Sequence, residues 1–379
     1  MQKEIIIIGD IELGGGTLTD DFISDKTLAR LIRMLAQRKH PVDLVLNGDT
    51  FDFLKCPYIS GNTRSYPRHI TKEISLAKLG LIYAAHELVF QALKQFVKKK
   101  ENRLHFIIGN HDHDLFFPAV QQKIREYLSR KKNISFRLQY QYKEVYAEHG
   151  QQYDFLNKIK PKQPFHLYGG KQILNIPWLS FGLISNFMVL KEEHPFLERI
   201  NPLPAVFSHH QAIVKKLSWR SIKYFLLSIL YFPIRHYYDP TYNFPKEMLR
   251  EVYRRIKKVH WEIDTIVEKF KWKRRRLIRK KQVLVLGHIH ERYVEEKDGR
   301  VIIHPSTWRD EYLLDDKTKL LRPNPKRYVR VAIADDDSLR WELVEVPPRA
   351  GTFRFDDVVK DEVGFIRKAA VQERFKVRF

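Results

Sequence analysis

Leu104-His105-Phe106-Ile107-Ile108-Gly109-Asn110-His111-Asp112 decides how the rest of the chain is read. An apolar run ends in glycine, and an amide, an imidazole and a carboxylate follow in consecutive positions. Open α/β folds keep their sites at the carboxyl edge of the sheet, so this reads as a strand delivering polar chemistry to that edge. The same grammar occurs at four other places. Ile5-Ile6-Ile7-Ile8 leads into Gly9-Asp10-Ile11-Glu12, and Leu44-Val45-Leu46 into Asn47-Gly48-Asp49-Thr50-Phe51-Asp52. Val145-Tyr146-Ala147 leads into Glu148-His149-Gly150, and Val283-Leu284-Val285-Leu286 into Gly287-His288-Ile289-His290.

Gathered at one edge, Asp10, Glu12, Asp49, Asn110, His149, His288 and His290 make an oxygen- and imidazole-rich set suited to two divalent first-row metals. Asp49, at the end of the central strand, is the natural bridge between ions held roughly 3.5–4 Å apart, as two-metal hydrolases require. Asp10, Glu12 and His290 would complete one shell; Asn110, His149 and His288 the other. A water between the ions would be acidified into a hydroxide nucleophile while both ions polarise the phosphoryl oxygens. His111 neighbours a ligand without being needed as one. It is free to protonate the leaving group or steady the equatorial oxygens, with Asp52 or Asp112 holding its ring.

These motifs, in this order, resemble the calcineurin-like metallophosphoesterase superfamily: Asp10, Gly48-Asp49-Thr50-Phe51-Asp52, Gly109 to Asp112, His149-Gly150, and Gly287 to His290. The resemblance covers roughly residues 5–154 and 282–314. It implies an α/β fold, a four-layer αββα sandwich of two mixed sheets, and a dinuclear site holding Mn, Fe or Zn. Two positions depart from the pattern. Asp10-Ile11-Glu12 stands where the family has Asp-x-His, and a Glu oxygen would harden the site and favour Mn. After the last motif, His304-Pro305-Ser306-Thr307-Trp308 replaces the usual Asn-x-Gly-Ser/Thr.

Around the motifs, the chain reads as a core over residues 1–154 and 282–346, a large, mostly helical cap inserted at 155–281, and a charged tail at 347–379. Ser24-Asp25-Lys26-Thr27 begins a helix with Leu28, Leu31, Ile32 and Leu35 on its apolar face. Gly14-Gly15-Gly16 reads as a flexible loop, Thr71 to Lys100 as one long helix, and Pro118 to Arg130 as another. Ile134 to Leu138 and Tyr142 to Ala147 read as strands. His209-His210 and His113 read as surface or capping histidines.

Lys+Arg 68 against Asp+Glu 45 gives a net charge of +23, which points to a polyanionic partner: nucleic acid, an anionic membrane surface or a phosphorylated metabolite. One cysteine, Cys56, excludes an intramolecular disulfide framework and a Cys-rich zinc site. Met1-Gln2-Lys3-Glu4 runs straight into a strand without a signal-peptide pattern, so a cytoplasmic location is expected. No apolar run reaches the roughly 18 to 20 residues that span a bilayer.

The substrate must be sought in the insertion. Tyr224 to Ile234 is apolar all round and flanked by Trp219, Arg220, Lys223, Arg235 and His236. Such a segment suits the membrane interface or a slot for acyl chains; a buried helix of the cap is the alternative. The layout is also loosely similar to the UDP-2,3-diacylglucosamine hydrolases, which carry a helical lid at the corresponding place. The expectation is hydrolysis of an amphiphilic or lipid-linked phosphoester at the inner membrane face, with the basic run Lys271 to Lys281 adding attraction to anionic headgroups. The alternatives are a nuclease, which the net charge would suit, and a non-catalytic metal-binding scaffold.

Overall fold

The computed structural model describes residues 2–129, 132–202, 211–244, 263–349, 351–373 and 375–377. His209, His210 and Arg130 lie outside them. The first strand, β1 (Lys3–Ile8), is buried along its whole length and lies parallel to β2 (Val42–Asn47). Its continuous apolar run has a simple cause: both faces of the sheet are covered, so side chains of either parity are removed from water. Next in line are β3 (Arg103–Ile107) and β4 (Ile134–Arg137), both parallel.

The second sheet is built on β5 (Gln139–Tyr142), β6 (Val145–Glu148), β7 (Val283–Leu286), β8 (Arg292–Lys297) and β9 (Arg300–Pro305). Two long antiparallel strands, β10 (Lys326–Ile333) and β11 (Leu339–Val346), close the first. The orders are β11-β10-β1-β2-β3-β4 and β8-β9-β7-β6-β5. Between them Ile5, Ile7, Val45 and Ile107 of one sheet meet Val145, Ala147, Val283, Val285 and Ile303 of the other. Ile6, Ile8, Leu44 and Leu46 instead face an outer helical layer that includes α1 (Asp25–Ala36), buried through Leu28, Leu31, Ile32 and Leu35. On the far side Leu284 and Leu286 pack against Ile266, Val267 and Phe270 of the helix Ile263–Ile278. This is the expected αββα sandwich of two mixed sheets.

Several local expectations are corrected. The helix expected over Thr71 to Lys100 is two, Lys72–Ala85 and Glu87–Phe96, bent by 89°. The break is at His86, whose buried ring bridges Asp25 Oδ1 (2.7 Å) and Asp20 Oδ2 (3.0 Å). Burial opposes a charge on this ring, but the two carboxylates outweigh it and push His86 up to about 10. The glycine loop is not flexible: the Gly14 and Gly16 amides donate to Asp20, and the loop is buried. Tyr142 ends one strand instead of starting the next, because Lys143 turns the chain with φ 46°.

Within the insertion the described residues include helices and a hairpin, Phe165–Tyr168 with Lys171–Leu174. Its short strand Ile200–Asn201 pairs with Tyr312–Asp315. The tail packs too: Phe355, Val358 and Ile366 share a core with Phe196, Leu197 and Tyr312. Among the described residues no single helix is long and apolar enough to cross a membrane.

Candidate metal centre

All the expected ligands follow parallel strands. Asp10 comes after β1, Asp49 after β2, Asn110 after β3, His149 after β6 and His288 after β7, so the carboxyl edges of both sheets converge on one place. Turning a side chain back over the edge requires an unusual backbone. Asp10, Glu12, Asp49 and His288 all sit at positive φ, at 53°, 57°, 48° and 82°. Each such residue costs roughly 1–2 kcal/mol relative to ordinary backbone, strain that typically gathers at functional sites.

Glycine permits the close approach. A Cβ on Gly109 would lie 2.1 Å from Asp49 Oδ1, and one on Gly48 (φ 84°) 2.3 Å from the His149 ring. With both positions bare, His149 Nε2 reaches 3.0 Å from Asp49 Oδ2 and 3.2 Å from Asn110 Oδ1. Ligand atoms of Asp49, His149 and His288 all lie within 4.8 Å of one another. On the other side, His290 Nε2 is 3.7 Å from Asp10 Oδ1 and 3.4 Å from Glu12 Oε1. Asp10 Oδ2 is buried with no hydrogen-bond partner, an orphaned acceptor of the kind a cation satisfies. The residues therefore fit divalent metal, and they cluster as the sequence motifs imply.

Charge follows geometry. Burial would raise Asp49, but His149 and His111 outweigh it and hold this carboxyl well below the usual range. Asp10 moves the other way, pushed up by burial against the pull of His149 and His290. Burial opposes charge on His149 and His111 as well. The carboxylates of Asp49 and Asp10 nevertheless push His149 up to about 9, and those of Asp52, Asp49 and Glu12 push His111 up to about 10.

The structure separates the two carboxylates expected to hold the His111 ring. Asp52 Oδ1 lies 3.0 Å from His111 Nδ1. Asp112 does not contact the ring: its two oxygens accept from the Gly109 and Thr50 backbone amides at 2.6 and 2.9 Å, tying the β3 and β2 loops together. His113, expected at the surface, is buried with Nδ1 on the Asn110 carbonyl at 2.9 Å, and burial lowers it to about 4.

A set of supporting residues was not foreseen. His149 Nδ1 donates to the Asn47 carbonyl at 3.0 Å, Asp154 Oδ2 lies 3.1 Å from His288 Nε2, and Glu311 Oε1 is 2.8 Å from His290 Nδ1. Each fixes a ring so that its other nitrogen faces the site. Asn47 stood inside the second motif; Asp154 and Glu311 carried no signal of spacing. The atypical His304-to-Trp308 stretch also has a role. Thr307 Oγ1, Trp308 N and Arg309 N all donate to the Asp10 carbonyl, at 2.9, 2.9 and 3.0 Å.

Glu12 is held from behind by buried cations. Its Oε2 accepts from Lys55 Nζ at 2.8 Å and lies 3.7 Å from Arg309 Nη1. Burial disfavours its charge, yet Lys55 and Arg309 keep it well below the usual carboxylate range, with Oε1 turned toward His290. Lys55 also reaches Asp21 Oδ2 at 2.6 Å and Asp52 Oδ2 at 3.1 Å. Lys191 and Glu198 join the cluster, tying residues far along the chain to Asp21 and Lys55 beside the site. Lys55→Met should lower stability by about 3–5 kcal/mol, the range for stranding buried charge, read as a fall in the urea midpoint. Lys123→Met, at an exposed pair, should cost less than about 1 kcal/mol. Equal midpoints for wild type and Lys55→Met would show that the carboxylates do not depend on Nζ.

The sequence model of calcineurin-like phosphoesterases matches residues 3–292. No curated protein matches the chain. Among solved structures, vacuolar protein sorting 29 from Cryptosporidium parvum is similar at 12% identity over 91% of this chain and 97% of its own, with a TM-score of 0.29. A phosphopantetheinyl hydrolase from Mycobacterium tuberculosis is similar at 12% identity over 81% of this chain and 89% of its own, with a TM-score of 0.26.

Proposed function

We propose, from the premise that this chain belongs to the calcineurin-like phosphoesterase family and is a phosphoesterase, that it hydrolyses an amphiphilic or lipid-linked phosphoester at a dinuclear centre. The observation that carries the reading is the convergence of Asp10, Asp49, Asn110, His149, His288 and His290 on one edge of two sheets, with Asp10 Oδ2 unpartnered. Asp10, Glu12 and His290 would hold one ion and Asn110, His149 and His288 the other, with Asp49 shared and Mn favoured by the added carboxylate. When bound, such ions supply Lewis acidity to the phosphoryl group and lower the pKa of an attacking water.

The chain's own residues do the rest. Asn47, Asp154 and Glu311 orient three imidazoles before substrate arrives. His111 donates Nδ1–H to Asp52, which leaves Nε2–H to meet the phosphoryl oxygens or the departing oxygen. Asp112 holds the two loops in register and works by positioning.

Support for an amphiphilic substrate comes from a cavity of about 370 Å³ in the insertion. Phe155, Leu156, Ile176, Trp178 and Phe181 line it together with the polar Asn175 and Asn243. Lys158 and Lys160 line it as well, so apolar wall and cationic edge sit together. A nuclease is the second reading, favoured by the net charge of +23.

The test is a substrate series with and without chelator. Activity on an aryl phosphate or diester should vanish in chelator and return best with Mn. Among natural esters, long-chain phospholipid-like substrates should exceed short-chain analogues by at least about tenfold in kcat/KM, since each buried methylene adds roughly 0.8 kcal/mol. Activity that survives chelation would end the metal reading. Preferred cleavage of DNA or RNA, with no chain-length effect, would replace the lipid reading with the nuclease.

A further inference from the structure

The helix Gln211–Leu230 and the short helix Phe232–Arg235 after it are amphipathic in the inverse sense. On one side Tyr224, Ser228 and Phe232, spaced four apart, are buried. That inner side is where the polar atoms are used. Trp178 Nε1 donates to Ser228 Oγ at 3.1 Å, Ser228 Oγ donates to the Tyr224 carbonyl at 2.7 Å, and Tyr224 Oη donates to the Trp178 carbonyl at 3.1 Å. The opposite side carries Trp219, Ile222, Leu226, Leu230 and Ile234, with exposures of 67, 52, 51, 71 and 66%. At 3.6 residues per turn these five fall within about a third of the helix circumference, so they share one largely apolar face, on which the exposed Lys223 also falls. Isolated exposed apolar side chains need no explanation; a shared face does.

Its charge says what would cover it. From Gln211 to Tyr238 the sequence has no acidic residue, while Lys215, Lys216, Arg220, Lys223 and Arg235 are basic. Arg220 donates to the Asn186 carbonyl and Lys216 pairs with Glu193, but Lys215 and Lys223 are exposed on the same arc as the apolar residues. An apolar strip carrying cations with an aromatic at its edge complements an anionic lipid surface, where acyl chains meet the strip and headgroups the ammonium groups. The basic run first expected to supply this attraction is partly engaged elsewhere: Lys271 pairs with Glu295 and Glu268, and Arg274 with Glu148.

We propose that this face docks the protein on an anionic bilayer. The docking is independent of which phosphoester the centre hydrolyses, so its test reads binding and not turnover. Flotation of the full chain with phosphatidylcholine vesicles, and with vesicles containing 30% phosphatidylglycerol, should show binding to the anionic set that weakens in high salt. A Leu226→Glu, Leu230→Glu variant should lose at least about tenfold in partitioning while keeping its thermal midpoint, because both side chains are largely exposed. A Lys215→Glu, Lys223→Glu variant should lose the preference for anionic vesicles. Wild type that ignores both vesicle types overturns the proposal, as does binding unchanged in the leucine variant. A wild-type dimer in light scattering that the leucine variant dissociates, without vesicle binding, would assign the face to a second copy of the chain instead.

Discussion

Asp49→Ala should lower kcat by roughly a thousandfold or more, the scale associated with losing a principal electrostatic stabiliser of the transition state. Asp49 stands between the His149 ring and the loop that carries His111. Its Oδ2 is 3.0 Å from His149 Nε2, and its Oδ1 accepts from the His111 backbone amide at 2.8 Å. Removing it would take away the ligand proposed as shared and free the His111 amide it now accepts from. Metal analysis should find two ions per chain in the purified wild type and no more than one in the variant. Full metal content and full turnover together would exclude Asp49 as the bridge.

His111→Ala should behave differently, with kcat down by roughly 10²- to 10⁴-fold, the range for a lost general acid, and metal content unchanged. The ring is held by Asp52 and stands beside Asp49. The leaving group separates its two roles. If His111 protonates the departing oxygen, an ester with a good leaving group such as p-nitrophenolate should lose far less rate than an alkyl ester. Equal losses on both would assign the ring to the equatorial oxygens, and loss of metal would make it a ligand.

Much of this centre was visible in the chain because its ligands are local in sequence to strand ends. A parallel strand that terminates in glycine followed by Asp, Asn or His has few reasons to do so away from a sheet edge, and five such endings pointed to one place. The supporting partners were not visible. Glu311 reaches His290 from 21 residues away and Asp154 reaches His288 across 134. Neither distance follows from local pattern, since both depend on how loops return over the edge. Asp112 misleads for the same reason: next to His111 in sequence, it turns to the Gly109 and Thr50 amides instead.

The insertion divides along a similar line. That Tyr224 to Ile234 is almost wholly apolar could be read directly, but which residues face inward could not, because a helix with a single polar position, Ser228, has no periodicity to read. Packing on Trp178 chose Tyr224, Ser228 and Phe232 for the interior and left Leu226 and Leu230 in solvent. The long helix expected through His86 failed because apolar spacing continues smoothly across the break, while the bend comes from two distant carboxylates that capture the ring.

By itself the sequence determined the sandwich and which strand ends bring Asp, Asn and His to one edge, because strand periodicity and the residues after each strand are properties of short windows. Tertiary structure alone decided which carboxylate holds His111, that Lys55 and Arg309 brace Glu12, and which side of the Gln211–Leu230 helix meets solvent. Those outcomes turn on contacts between segments far apart in the chain, where burial and charge pairing set the arrangement and local propensity is silent.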